Sequence, residues 1–166
     1  HYYPDGYWSN SFFDDNFKVT TASDFDLASN QEFCIELFLN PYDGTAFGTP
    51  FYAFATSASP DDKFAIFTDA SNNLDFRFAG AQIGTPFSFT LHTWTNIVIT
   101  RDSSGYIRQF QDGVLKNYNQ KTDAIDMAFA TIGNRNGGVH YVGEISNLRY
   151  VKDSIPTTYQ TSETST

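Results

Sequence analysis

The feature that most constrains this chain is the alternation of apolar and polar side chains with a period of two. Over residues 33–39, Phe33, Ile35 and Leu37 fall on one face of an extended segment, and Glu36 falls on the other. Such alternation is typical of a β-strand with one buried face. Comparable runs predict further strands over Tyr7–Phe13, Phe17–Thr20, Phe51–Thr56, Phe64–Thr68, Leu74–Phe78, Phe87–Thr90, Thr95–Arg101, Tyr106–Gln111, Val114–Tyr118, Ala128–Ile132 and Tyr141–Tyr150.

Clusters of Gly, Pro, Asn, Asp and Ser separate these runs, as expected for turns. Asp112-Gly113 lies directly between two of them and predicts a two-residue β-hairpin. Closely spaced strands without a long helical pattern predict an all-β fold, either a sandwich or a barrel. The residues predicted to fill its core are Phe33, Ile35, Leu37, Ile97, Ile99, Ile132, Ile145 and Leu148.

Composition agrees with this fold class, since the chain has 17 Phe and 10 Tyr but one Met. At 166 residues it is the size of one domain, which we assign to residues 1–154. Residues 155–166 are rich in Ser and Thr and are predicted to be a tail or linker. Cys34 is the single cysteine, so no internal disulfide can form.

The formal net charge of −9 excludes nucleic acid as an expected partner, because no basic stripe could replace phosphate counterions. No apolar run approaches the roughly 20 residues that span a bilayer, so membrane insertion is not expected. The chain has 15 Asp and four Glu. This excess of Asp favours either turn formation or cation binding.

Three stretches of the chain resemble the laminin-G-like group of the concanavalin A-like lectin/glucanase superfamily. They are FFDDNFKVTTASDFDLASNQEFCIELFLNP (Phe12–Pro41), WTNIVITRDSSGYIRQFQDG (Trp94–Gly113) and IGNRNGGVHYVGEISNLRYVK (Ile132–Lys152). Of the sandwich and the barrel, the resemblance implies the sandwich, a two-sheet antiparallel β-sandwich with the jelly-roll topology of the concanavalin A type. The third stretch looks most like copies in phage and microbial surface proteins. The chain departs from the family's opening at Asp15, where relatives carry glycine.

Glucanases of this superfamily carry Glu-x-Asp-x-x-Glu on one strand, which places a nucleophile and an acid/base on the same face. None of the chain's glutamates begins such a motif. His92 and His140 are not accompanied by a Gly-x-Ser-x-Gly nucleophile elbow. Cys34 lies inside a predicted strand, as expected of a buried, unreactive thiol. We therefore predict that the protein is not an enzyme.

Calcium is the cofactor that the resemblance implies, because similar domains often hold one ion with Asp side chains and loop carbonyls. Calcium prefers oxygen ligands, and Asp14, Asp15 and Asp43 are the candidate donors. The alternative is that these residues only form turns.

Two predicted loops have the chemistry of sugar binding, in which aromatic faces stack on rings and polar groups bind hydroxyls. One is Asn40–Phe51, which contains Tyr42. The other is the segment before Tyr141, which offers Asn134, Arg135, Asn136 and His140. The alternative is that Asn and Gly in the second loop are only turn formers.

These observations predict a carbohydrate-binding or adhesion domain of a phage fibre, tail or decoration protein, or of a microbial surface protein. Its partner would be a glycan or cell-surface polysaccharide, and its location the virion, the cell surface or the extracellular space. The alternative is a structural subunit that packs against neighbours in a virion or extracellular assembly.

Overall fold

The computed structural model describes residues 10–12, 17–19, 24, 26–44, 48–54, 63–127, 129–134, 140–156 and 159. Within these ranges the chain forms thirteen β-strands and no α-helix. The described part of the chain therefore contains no helix with the length and hydrophobicity of a transmembrane segment.

The strands are Asn10–Phe12 (β1), Phe17–Val19 (β2), Phe33–Pro41 (β3), Gly48–Phe54 (β4), Phe64–Thr68 (β5), Asn73–Phe78 (β6), Ala81–Gln82 (β7), Phe87–Ser88 (β8), Thr95–Arg101 (β9), Tyr106–Gln111 (β10), Val114–Gln120 (β11), Phe129–Ile132 (β12) and Gly143–Lys152 (β13). The predicted bounds of β5, β9 and β10 are confirmed. The predicted start of β13 at Tyr141 is wrong, because the Tyr141 amide donates to the Gly133 carbonyl and not to a strand of the sheet. The two-residue strand β7 was too short to predict.

The strands form two antiparallel sheets, and the predicted two-sheet sandwich is confirmed. The first sheet has the order β1-β13-β3-β9-β10-β11. The second has the order β2-β12-β4-β5-β6-β7, with β8 also paired to β6. At the hairpin between β10 and β11, Asp112 and Gly113 have φ of 50° and 78°, as the predicted two-residue turn requires.

The core lies between the sheets and is rich in phenylalanine. Phe33 of the first sheet lies 5.4 Å from Phe64 and 5.8 Å from Phe78 of the second, measured between ring centroids. Six of the eight predicted core residues are buried. Ile132 and Leu148 are only partly buried and pack against the core. Ile132 is the last residue of β12, and Leu148 lies at a register shift of β13.

One end of the sandwich is closed by Arg101, the last residue of β9, whose side chain is fully buried. Its guanidinium donates to the backbone carbonyls of Gln31, Asp123 and Ala28 at 2.9, 2.7 and 2.8 Å. The guanidinium also lies 4.9 Å from the ring centroid of Phe78. A single side chain therefore joins two connections to the core.

After β13 the chain contacts the first sheet again. Ile155 is buried, and the Tyr159 ring lies 5.3 Å from that of Phe110, on the face turned away from the core. Cys34 is also buried on this face. Burial and the nearby Glu36 raise the pKa of its thiol to about 11. The domain boundary at residue 154 stays a prediction.

Candidate functional site

Several connections meet at the end of the sandwich opposite Arg101. The His92 amide donates to the Pro41 carbonyl at 2.7 Å, and the Tyr42 amide donates to the Val142 carbonyl at 2.9 Å. The segments after β3, before β9 and before β13 are thus bonded to one another. We call residues 42–44, 69–72, 91–93, 133–134 and 140–142 the loop end.

The turn between β5 and β6 belongs to the same end. A Cβ added to Gly44 would lie 2.2 Å from Oδ1 of Asn72, so residues 42–44 lie directly against this turn. The turn is organised by Asp69, whose carboxylate accepts from the amides of Ser71 and Asn73 at 2.8 Å. Burial acts to raise the pKa of Asp69, but the hydrogen bonds from Asn73 and Ser71 outweigh it and the pKa is lowered. Asp69 therefore supports the turn as a carboxylate.

Tyr42 and His92 form a stacked pair at the loop end, with ring centroids 5.3 Å apart and planes 25° apart. His92 is exposed, and Tyr42 is half-buried. The backbone of His92 is left-handed, with φ of 56°, which is uncommon for a residue other than glycine. The hydrogen bond from the His92 amide to the Pro41 carbonyl fixes the backbone in this conformation, with the ring beside Tyr42. The sequence indicated Tyr42 as a ligand residue but not His92.

Asn134 and His140 pair across the base of the predicted sugar-binding loop through an isolated β-bridge. Nδ2 of Asn134 lies 3.2 Å from Nδ1 of His140. Asn134 is fully buried, and its carbonyl accepts from the Thr131 hydroxyl. The amide of Asn134 therefore supports His140, which is half-buried. Arg135 and Asn136 lie outside the described residues, and the role of this loop in ligand binding stays a prediction.

Buried polar residues lie where β3 ends and β13 begins, next to the loop end in the chain. Nδ2 of Asn40 donates to Oε2 of Glu144 at 2.9 Å, and both side chains are buried. The Tyr141 hydroxyl donates to the Glu144 carbonyl at 3.4 Å, and burial together with Glu144 raises the pKa of Tyr141. A Cβ on Gly143 would lie 2.4 Å from the Asn40 carbonyl oxygen. The end of β3 and the start of β13, next to the loop end, are therefore tightly packed and hydrogen-bonded.

The predicted calcium donors are only partly described. Asp43 is exposed at the loop end, whereas Asp14 and Asp15 lie outside the described residues. Across the described ranges, no group of three or more His, Cys, Asp or Glu side chains is placed to hold a metal ion. Calcium also takes carbonyl oxygens, and the predicted ion stays a prediction.

The described glutamates are spread along the first sheet. Glu32 precedes β3, Glu36 lies within it, and Glu144 of β13 is opposite Asn40. Successive members of this series are four residues apart along β3, which is about 13 Å. A retaining glycosidase needs two carboxyl groups about 5 Å apart, and an inverting one needs about 6.5–9.5 Å. The backbones of Glu32 and Glu36, about 13 Å apart along β3, are thus farther apart than the carboxyl groups of either pair.

The second sheet also has a face turned away from the core. Phe64 and Ile66 of β5 and Phe76 and Phe78 of β6 face the core, so the alternate residues of these strands face outward. The outward residues include Phe67, Asp75 and Arg77. Alternation alone does not distinguish a binding face from a solvated one.

Comparison with known proteins identifies a matching family model and solved structures with a similar fold. A family model described as the concanavalin A-like lectin/glucanases superfamily matches residues 13–156. No curated protein matches the chain. A native heptameric SAP-like pentraxin from Limulus polyphemus is 18% identical, with a TM-score of 0.66, covering 92% of this chain and 78% of the pentraxin.

Two further solved structures are described with bound sugars. The CBM40 of Ruminococcus gnavus IT-sialidase, bound to α2,3 sialyllactose, is 11% identical with a TM-score of 0.69, covering 92% of this chain and 96% of that one. Domain 4 of a GH43 extracellular arabinanase from Geobacillus stearothermophilus, in complex with arabinotriose, is 18% identical with a TM-score of 0.55, covering 75% and 63%. At these identities the likeness is one of fold.

Proposed function

Because the chain belongs to the concanavalin A-like lectin/glucanase superfamily, we propose that it is a non-catalytic carbohydrate-binding domain with its ligand site at the loop end. The observation that carries this proposal is the stacked pair of Tyr42 and His92 at the loop end, where His92 is exposed and Tyr42 is half-buried. Two segments that the sequence separately indicated, around Tyr42 and around His140, meet at this place.

The chemistry of the loop end suits a sugar. An aromatic ring offers a flat apolar face to the C–H groups of a pyranose, while nearby polar groups bind its hydroxyls. Tyr42 and His92 supply the rings, and His140 and Asp43, at the same end of the sandwich, are the proposed sources of polar atoms. The hydrogen bonds that fix Tyr42 and His92 reduce the conformational entropy lost on binding.

Binding without catalysis is supported by the sequence, in which no glutamate begins the Glu-x-Asp-x-x-Glu motif of the superfamily's glucanases. The fold also occurs as a carbohydrate-binding module, in the sialidase CBM40. We therefore assign the loop end a binding role.

We further propose that the domain works in the extracellular space, on a cell surface or on a virion, where its partner is a polysaccharide. The phage or microbial surface protein indicated by the third family-like stretch is part of this proposal. One similar structure is a domain of an extracellular arabinanase, which is consistent with that setting. A calcium ion held by Asp43 with Asp14 or Asp15 is likewise proposed.

A structural subunit is the second candidate, and the edge of the first sheet favours it. β11 is an edge strand, and Val114 and Tyr118 on it are 58% and 42% exposed. Unpaired strand edges with exposed apolar side chains are common packing surfaces between chains. In this role the domain would self-associate and bind no glycan.

A glycan array tests the proposal and separates the two candidates. Reproducible hits are expected with the parent protein, and Tyr42→Ala or His92→Asn should weaken binding about tenfold through loss of one ring. Asn tolerates the left-handed backbone of position 92, so this variant removes the ring with little strain. Tyr118→Ala is the matched control, because Tyr118 stacks on Tyr106 away from the loop end.

All variants should keep the parent's melting temperature within a few degrees. Hits that survive both loop-end substitutions would place the site elsewhere. An array without hits, together with self-association in light scattering that Tyr118→Ala abolishes, would instead establish the structural role.

A further inference from the structure

The turn between β5 and β6 places one asparagine, Asn72, at the loop end. The Asn72 amide donates to the Asp69 carbonyl at 3.1 Å, and the Asn72 carbonyl accepts from the Phe89 amide at 2.9 Å. The φ of Asn72 is 58°, in the left-handed region that asparagine tolerates better than most residues. The backbone of Asn72 is therefore fixed on both sides.

Asn72 lies against both segments that carry the aromatic pair. A Cβ on Gly44 would lie 2.2 Å from Oδ1 of Asn72, and Gly44 is two residues from Tyr42 in the chain. Two residues span at most about 7 Å. The other bonded neighbour, Phe89, precedes His92 by three residues. The side chain of Asn72 is thus beside the segment that presents Tyr42, and its backbone is bonded to the segment that leads to His92.

The side-chain amide of Asn72 is accessible and unengaged. Across the described residues its Oδ1 and Nδ2 have no hydrogen-bond partner, and neither is among the buried atoms that lack one, so solvent reaches both. The next residue differs, because Nδ2 of Asn73 already donates to the Asp69 carboxylate at 3.0 Å. A free amide on a fixed backbone can donate to one hydroxyl group and accept from another.

We propose that Asn72 is a further ligand-binding residue of the loop end, and that its side-chain amide binds hydroxyl groups of a sugar held at Tyr42 and His92. This inference rests on the proposed carbohydrate-binding function. Nδ2 donates to one sugar oxygen, and Oδ1 accepts from a neighbouring hydroxyl. Because the amide is uncharged, the contact suits an uncharged part of the glycan.

Glycine at position 44 leaves room for this amide. Any other side chain would bring its Cβ to 2.2 Å from Oδ1 of Asn72, which is too close for two atoms that are not bonded to each other. The same Cβ would lie 3.3 Å from the Asp69 carbonyl oxygen, so the backbone of the turn leaves more space than the amide does. A residue larger than glycine would therefore displace the side chain of Asn72.

Asn72→Gly tests the role of the amide, because glycine adopts φ of 58° without strain and the turn keeps its backbone. The isotope-labelled full chain is titrated with glucose, galactose and N-acetylglucosamine. At least one sugar should give a saturable chemical-shift change at the Nδ2 protons of Asn72 and at Tyr42 and His92. Asn72→Gly should weaken the affinity for that sugar about fivefold, the effect expected from losing neutral hydrogen bonds.

Asn147→Gly is the matched control. Asn147 is exposed and also has a left-handed backbone, with φ of 51°, but it lies within β13, beyond the loop end. This variant should bind like the parent. Gly44→Ala should weaken binding as Asn72→Gly does, and the two substitutions together should weaken it no further, because both act on the same amide. A double variant that bound more weakly than Asn72→Gly would overturn the role of Gly44.

The outcomes separate this inference from the proposed function. Shifts at Tyr42 and His92 with an affinity that Asn72→Gly leaves unchanged would overturn the role of Asn72 and leave the loop-end site intact. An equal loss in Asn147→Gly would also overturn it, since the effect would not be specific to the loop end. The absence of shifts with all three sugars would overturn the inference, whereas hits on the glycan array would still support the proposed function.

Discussion

Replacing Arg101 with methionine removes the side chain that closes one end of the sandwich. Methionine has a similar length and is apolar, so it can fill much of the space between the sheets. It cannot donate hydrogen bonds. The carbonyls of Ala28, Gln31 and Asp123, which Arg101 now bonds, would lose their donor.

The expected cost follows from these contacts. Hydrogen bonds to a charged donor contribute about 1.5–3 kcal/mol each, and the three here would total roughly 4.5–9 kcal/mol if each carbonyl stayed dry. Ala28 and Asp123 are surface residues, so water can replace some of the hydrogen bonds that their carbonyls lose. Removing a buried charge also recovers desolvation free energy. We therefore expect Arg101→Met to lower the free energy of unfolding by about 4 kcal/mol, or the melting temperature by roughly 8–16 °C.

Urea unfolding followed by fluorescence measures this change, with Arg149→Met as the control. Arg149 is about half exposed, and its pair with Glu36 should contribute less than about 1 kcal/mol. The free energy of unfolding of Arg101→Lys should lie between those of Arg101→Met and Arg149→Met, because an ammonium cannot reach three carbonyls in the geometry of a guanidinium. An Arg101→Met protein within about 1 kcal/mol of Arg149→Met would refute the reasoning, since the buried hydrogen bonds would then contribute little.

Three further predictions concern other parts of the chain. Gly113→Val should lower the melting temperature by a few degrees, because φ of 78° strains a β-branched residue while its Cβ would meet no atom within 4 Å; an unchanged transition would contradict this. Cys34, with a pKa near 11 and 1% exposure, should react with a thiol reagent at pH 8 only on unfolding; rapid labelling of the native protein would count against it. Calcium at a hundredfold excess over its Kd should stabilise the domain by about 2.7 kcal/mol, and identical unfolding curves in calcium and in chelator would end that proposal.

Most of the fold was predictable because it is recorded in local patterns. Alternation identified β5, β9 and β10 to the residue, and the turn at Asp112-Gly113 has the backbone that its sequence requires. The observed strands differ from the predicted ones where tertiary contacts determine the ends of a strand. Tyr141 has a strand-like sequence context, but its amide bonds to Gly133, and β13 therefore begins two residues later.

The candidate sites were less predictable, for a physical reason. Tyr42 and His140 could be named from residue type alone, but their meeting at one end depends on four connections that are far apart in sequence. His92 was overlooked because its stacking on Tyr42 requires a left-handed backbone that its own sequence does not specify.

The two ends of the sandwich have separate roles, and this makes the binding experiments interpretable. β9 runs from Thr95 near the loop end to Arg101 at the other end, about 20 Å over six residues. Substitutions this far apart, without shared partners, have nearly additive effects on stability. Arg101→Met should therefore lower stability without changing the affinity of the loop end below its melting temperature. Tyr42→Ala should instead lower the affinity of the loop end without lowering stability. A sugar affinity that fell with Arg101→Met in a folded protein would show that the two ends are coupled through the core.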